Sequence, residues 1–103
     1  MNEPKIEVNA DGSFAIIGEL NHQSVPSVLK TSSNMFFSNN TSNNNNLSID
    51  LQQVSRSDSA GVALLIEWMR QAKKNNKAIR FNNIPKQMHE IAEVSGVDKL
   101  LAM

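Results

Sequence analysis

Near the N-terminus, Ile6 and Val8 alternate with Lys5, Glu7 and Asn9, and Asp11-Gly12 marks a turn before the apolar run Phe14-Ala15-Ile16-Ile17. That pattern predicts a β-hairpin. The second run is apolar at consecutive positions, so it is expected to be central or covered on both sides, with the first strand at an edge. Gly18-Glu19-Leu20-Asn21 ends it. From Ser24, a candidate N-cap, Val25, Val28, Leu29, Met35 and Phe36 recur at helical spacing, with Pro26 tolerated in the first turn. Thr31, Ser32, Ser33 and Asn34 are poor helix formers, so the buried stripe must hold this helix, and its end before Phe37 is the part expected to fray.

The Asn-rich stretch 39–46 contains nothing whose burial is favourable and reads as an exposed, mobile loop. Leu47, Ile49 and Leu51 alternate with Ser48 and Asp50 as a third strand, which a short loop connects to a helix from about 59 to 74. Arg70, Lys73 and Lys74 suit the C-terminal end of the helix dipole, and Asn75-Asn76 stop the helix. Ala78-Ile79-Arg80-Phe81-Asn82 is the next strand; if it is parallel to the third, the crossover is right-handed. Pro85 opens a last amphipathic helix with Met88, Ile91, Ala92 and Ser95 on one face, Gly96 closes it, and Val97, Leu100 and Leu101 form an apolar turn. The order predicts an α/β fold of two layers, with a mixed sheet of about four strands and three to four helices mainly on one face.

The stretch from Ser55 to Arg70 stands apart. Ser57, Asp58 and Ser59 run directly into Ala60-Gly61 and then into the apolar positions 62–69, which only Glu67 interrupts. A surface helix shows one stripe, so this helix is either flanked on both sides or partly covered by another chain. Flanking helices account for Leu65 and Met69, whereas Trp68 fits either a core or an interface. At the junction, one N-cap needs one side chain, yet three polar side chains crowd the turn; at least one hydroxyl is therefore expected to be free for a partner or a kinase.

Composition narrows the chemistry. With 103 residues a single domain over 1–103 is expected, and ten basic against ten acidic side chains leave no electrostatic footprint for nucleic acid. There is no cysteine, hence no disulfide or thiolate site. No run of about 18 apolar residues occurs and residues 1–9 lack a signal-peptide layout, so a cytoplasmic domain is expected, linked to a membrane only through a partner. His22 and His89 lack metal-pair spacing, the four glycines are isolated, and Ser59 has no nucleophile elbow around it. No enzyme activity, cofactor or metal is expected.

Gly18-Glu19-Leu20, Ile49-Asp50-Leu51, Asp58-Ser59-Ala60-Gly61-Val62-Ala63-Leu64-Leu65 with Glu67-Trp68, and Ser95-Gly96-Val97 with Leu100-Leu101 occur in that order. Together they resemble the STAS domain family of anti-sigma-factor antagonists (the SpoIIAA-like fold) and sulfate-transporter tails. Their details most resemble the MlaB-type STAS subunits of Mla phospholipid ABC transporters of Gram-negative bacteria. The Asn-rich stretch is longer than that family leads one to expect. The resemblance implies a subunit that binds the cytoplasmic ATPase of a transporter with its permease complex, and so serves intermembrane phospholipid transport and outer-membrane lipid asymmetry, peripheral at the inner membrane. It places the contact at Ser59 with Ser57, Asp58, Ala60 and Gly61; the exposed side of the central helix and the start of the last one, around Lys86 and His89, are expected to complete an interface of about 800 Å² per partner. The alternative it implies is an anti-sigma-factor antagonist, phosphorylated at Ser59 by a serine-kinase anti-sigma factor. A lipid-binding module is a third possibility, and it would require an apolar cavity.

Overall fold

The computed structural model describes residues 4–37 and 46–101. The chain runs β1 (Lys5–Val8), β2 (Phe14–Leu20), α1 (Val25–Phe37), β3 (Asn46–Asp50), β4 (Val54–Ser57), α2 (Ser59–Lys74), β5 (Ala78–Asn82) and α3 (Lys86–Ser95). The fold is the expected mixed α/β arrangement. β1 pairs antiparallel with β2 at one edge, and β2 is central, pairing on its other side with β3 and then with β4. β3 and β5 are parallel, which the sequence pattern leaves open.

The sheet has a fifth strand where the sequence suggested only a loop. β4 is four residues long, with Val54 and Ser57 buried and Ser55 and Arg56 exposed between them, too short for periodicity to reveal. It continues the line of β3 along β2, with a register irregularity between Gly18 and Glu19. Residues 39–45 of the Asn-rich stretch lie outside the described residues, and Asn46 is the first residue of β3.

Register fixes which face carries the core. Phe14, Ile49 and Phe81 are neighbours across β2, β3 and β5. Phe36 of α1 lies 4.5 Å from Phe14 between ring centroids, and Trp68 of α2 lies 6.3 Å from Phe81, so both helices pack on that side. Phe36 and Trp68 themselves meet at 5.4 Å, completing an aromatic row from β2 to β5 through two helices. The opposite face carries Glu7, Ala15, Asp50 and Asn82 in register. α2 packs against α1 on one side and α3 on the other, which explains its nearly continuous apolar run. Trp68 is fully buried and belongs to the core.

α1 is helical through Phe37, with no break at its serines. Ser32 is fully buried; its hydroxyl accepts from Trp68 Nε1 at 2.7 Å and donates to the Leu29 carbonyl. Ser33 bonds the same carbonyl and Gln71 of α2. The residues that weaken α1 as an isolated helix thus tie it to α2. The N-cap of α1 also differs from expectation. Asn21 Oδ1 accepts from the N–H groups of Gln23 and Ser24, and Ser24 Oγ accepts from Asn21 N–H. This reciprocal pair is a capping box that starts the turn three residues before Ser24.

Ser32→Ala leaves the buried Trp68 N–H without an acceptor and is expected to cost about 1–3 kcal/mol in urea unfolding. In a Trp68→Phe background the same substitution should cost distinctly less, because the orphaned donor is gone. Equal costs in the two backgrounds would show that the hydrogen bond contributes nothing to stability.

Candidate functional site

At the junction of β4 and α2, the three polar side chains anticipated from the sequence have separate roles. Asp58 is the N-cap, its backbone extended (φ −107°, ψ −167°) and its Oδ1 accepting from Ala60 N–H at 2.8 Å. Its Oδ2 accepts from the His22 N–H at 3.3 Å and lies 3.6 Å from His22 Nδ1. One carboxylate therefore caps α2 and joins it to the turn between β2 and α1. Ser57 is buried, and its hydroxyl donates to the Asp58 carbonyl at 2.9 Å. Ser59 is exposed, and its hydroxyl has no hydrogen-bond partner among the described residues.

Gly61 is buried beneath this turn. A Cβ placed there would collide with Ser57 Oγ and come within 3.1 Å of Leu20 Cβ, so the absence of a side chain lets α2 lie directly on β2 and β4. Ala60 is half-buried, and Ala63, one turn after Ser59, is exposed. The outward path along the helix from Ser59 is therefore flat for its first turn.

The last helix reaches the junction through a residue that sequence reasoning passed over. Gln87 Oε1 accepts from the Ser57 N–H at 2.9 Å, which holds the start of α3 beside the start of α2. Lys86 and His89 flank Gln87 but bond along their own helix: Lys86 Nζ lies 3.9 Å from Glu90 Oε1, and His89 Nδ1 lies 2.9 Å from Glu93 Oε1. His22 is likewise a participant that sequence spacing did not connect to Asp58. Neither pairing leaves a local signal, since the partners are 36 and 30 residues apart.

Burial pushes the Asp58 carboxyl up, but the N–H groups of Ala60 and His22, the His22 side chain and the Gly61 N–H outweigh it and hold the carboxyl below its ordinary value. Beside the turn is a groove of about 320 Å³ lined by Glu19, Asn21, His22, Arg56, Asp58 and Gln87. A larger groove of about 600 Å³ adjoins it through Glu19 and Asn21; Ser24, Ser27, Thr31 and Ser55 line it alongside Ile6 and Val28, a mixed rather than apolar wall. Among the described residues, no group of three or more His, Cys, Asp or Glu side chains could hold a metal ion, and no helix is long and apolar enough to cross a membrane.

A family model described as "Mlab, STAS domain" matches residues 8–102. Comparison with curated protein sequences finds no significant match. Among solved structures, the chain is similar to the anti-sigma-factor antagonist SpoIIAA in its unphosphorylated form, with a TM-score of 0.69 and 20% identity over 93% of this chain and 83% of that one. It is also similar to the phosphorylated form of SpoIIAA, described as a Bacillus cell fate determinant, with a TM-score of 0.66 and 21% identity over 93% of this chain and 86% of that one. Similarity to SLC26A9 has a TM-score of 0.59 and 17% identity, covering 87% of this chain and 16% of that one. At these identities the likeness is one of fold.

Asp58→Ala removes both links of the carboxylate and is expected to destabilise the domain by about 0.5–2 kcal/mol at neutral pH. Because the folded-state pKa of Asp58 lies below its unfolded value, the charge stabilises the fold above the unfolded pKa, and this contribution is lost as pH falls through the folded pKa. Urea unfolding of both proteins across the acid range should show the gap narrowing in that window. A gap that stays constant would mean that the ionised carboxylate adds nothing beyond its shape.

Proposed function

The chain belongs to the STAS domain family, and we propose that it is a non-catalytic regulatory and assembly subunit that docks on the cytoplasmic ATPase of an Mla-type phospholipid ABC transporter. It works as one STAS domain over residues 1–103, in the cytoplasm and at the inner membrane through the ATPase and permease complex. Its contribution is to intermembrane phospholipid transport and outer-membrane lipid asymmetry.

The observation that carries this reading is the exposed hydroxyl of Ser59, without a partner among the described residues, on a turn fixed by Asp58, Gly61 and Gln87. A docking group with no internal bond to break, on a pre-organised turn, loses little entropy on association. Asp58, Ser59 and Ala60 meet the partner, while the buried Ser57 and Gly61 shape the turn from below. A specific interface of about 800 Å² per partner needs more than one turn, and the start of α3 with Lys86 and His89 supplies the neighbouring face. The chain acts without touching ATP: it favours an ATPase conformation by as much as it binds that conformation better.

A second reading, an anti-sigma-factor antagonist switched by phosphorylation of Ser59, is supported by the accessibility of the same hydroxyl to a kinase and by the fold likeness to SpoIIAA. A phosphate of about −1.5 to −2 charge at a helix start is favourable by a few tenths to about 1 kcal/mol, yet it obstructs a close interface there.

Co-purification with an Mla-type ATPase subunit tests the first reading. Ser59→Arg is expected to abolish the complex and the change in ATP turnover while leaving the circular dichroism spectrum intact. If complex and turnover persist in the folded variant, the assignment is wrong. Recovery of a serine kinase with stoichiometric phospho-Ser59 in place of the ATPase would establish the second reading.

A further inference from the structure

The charged groups around the groove beside Ser59 are not equally available. Glu19 Oε2 accepts from Asn21 Nδ2 at 2.8 Å. Asp58 is engaged by Ala60 and His22, and Gln87 by Ser57. Arg56 differs from all of these. It sits on β4, exposed, three residues before Ser59, and its guanidinium has no hydrogen bond or ion pair with any described residue. Its register partner on β2 is Glu19, which turns to Asn21 instead. A guanidinium is ionised at every physiological pH and carries five donors in a planar fork, which match a carboxylate in a bidentate pair.

We propose that Arg56 is the specificity-determining charge of the docking surface, and that the groove receives a carboxylate side chain of the partner protein, paired with the Arg56 guanidinium. The proposal rests on the reading of the Ser59 turn as a docking site and adds the chemistry of what docks. Glu19 and Asp58 line the same groove and oppose an incoming carboxylate, and over so short a span salt with a screening length of about 8 Å shields them little. The bidentate contact acts at hydrogen-bond distance, so it decides the fit. Arginine is enriched among the residues that dominate interface energetics, and a charge at the rim also sets the association rate and its salt dependence.

The experiment measures affinity of the purified chain for the Mla-type ATPase subunit, using wild type, Arg56→Lys, Arg56→Gln, Arg56→Glu and, as reference, Ser59→Arg, at low and physiological salt. Arg56 is exposed, so thermal unfolding of the Lys and Gln variants should match wild type, whereas Arg56→Glu sets a carboxylate opposite Glu19 and its fold is checked by circular dichroism. Arg56→Gln is expected to bind about tenfold more weakly and to lose most of the salt dependence, Arg56→Glu to bind more weakly still, and Arg56→Lys to fall between wild type and Gln. Equal losses for Gln and Glu would assign the groove to a neutral acceptor and overturn the carboxylate. Binding within twofold of wild type for Arg56→Glu, with Ser59→Arg still abolishing the complex, would overturn the Arg56 proposal alone. No binding by wild type would overturn both the ATPase-docking reading and the Arg56 proposal that rests on it. A homodimer that Arg56→Glu dissolves in gel filtration would give the groove to a second copy of this chain, against the proposal.

Discussion

The start of α2 can lie where it does only because residue 61 has no side chain. A single methyl there would meet the Ser57 hydroxyl and crowd Leu20, and the helix would have to lift away from β2 and β4. The other contacts of the junction depend on that closeness. With the helix seated, one Asp58 oxygen reaches Ala60 while the other reaches across to His22, and Gln87 from a different helix reaches the backbone of Ser57. The exposed serine is therefore held by a turn whose own polar groups are already satisfied.

Seating alone does not orient a helix, and the rest of the orientation comes from the core. The aromatic row Phe14, Phe36, Trp68 and Phe81 runs from β2 to β5, and the Ser32–Trp68 hydrogen bond ties α1 to α2 at its centre. A buried hydrogen bond of this kind contributes little net energy when made but costs more when half of it is missing, so it specifies which faces of the two helices meet. α3 then flanks α2 from the other side. The middle helix is left with a narrow outward path, whose first residues are Ser59 and Ala63.

What could be read from the chain is what local periodicity controls. The edge position of β1, the central place of β2, the span of α2 and its stop at Asn75-Asn76, and the left-handed C-cap at Gly96 all follow from patterns within a few residues. β4 escaped because two buried positions in four residues make no period. Asn21 escaped as the cap of α1 because Ser24 is also a capping residue and stands nearer the apolar stripe, while the reciprocal bond between the two becomes visible only in three dimensions. At the site, the sequence marked the turn itself and anticipated that one hydroxyl would be left over, since three candidate caps serve one helix. Residue types alone could not say which one, because that depends on the depth at which Ser57 is buried and on His22 and Gln87 arriving from remote segments; only the family resemblance pointed to Ser59. Trp68 was open for the same reason: an apolar run shows how much of a helix is covered, not by what.

The burial of Trp68 has a practical corollary. It is the only tryptophan of a chain without tyrosine, so it dominates the near-ultraviolet absorbance and the intrinsic emission of the protein. Enclosed by two phenylalanine rings with its indole N–H bonded to Ser32, this chromophore monitors whether the core is assembled. It lies about two and a half turns along the helix from the exposed serine, turned inward. Its fluorescence is thus a reporter of unfolding and a poor reporter of anything that lands on the surface, for which a label must be attached.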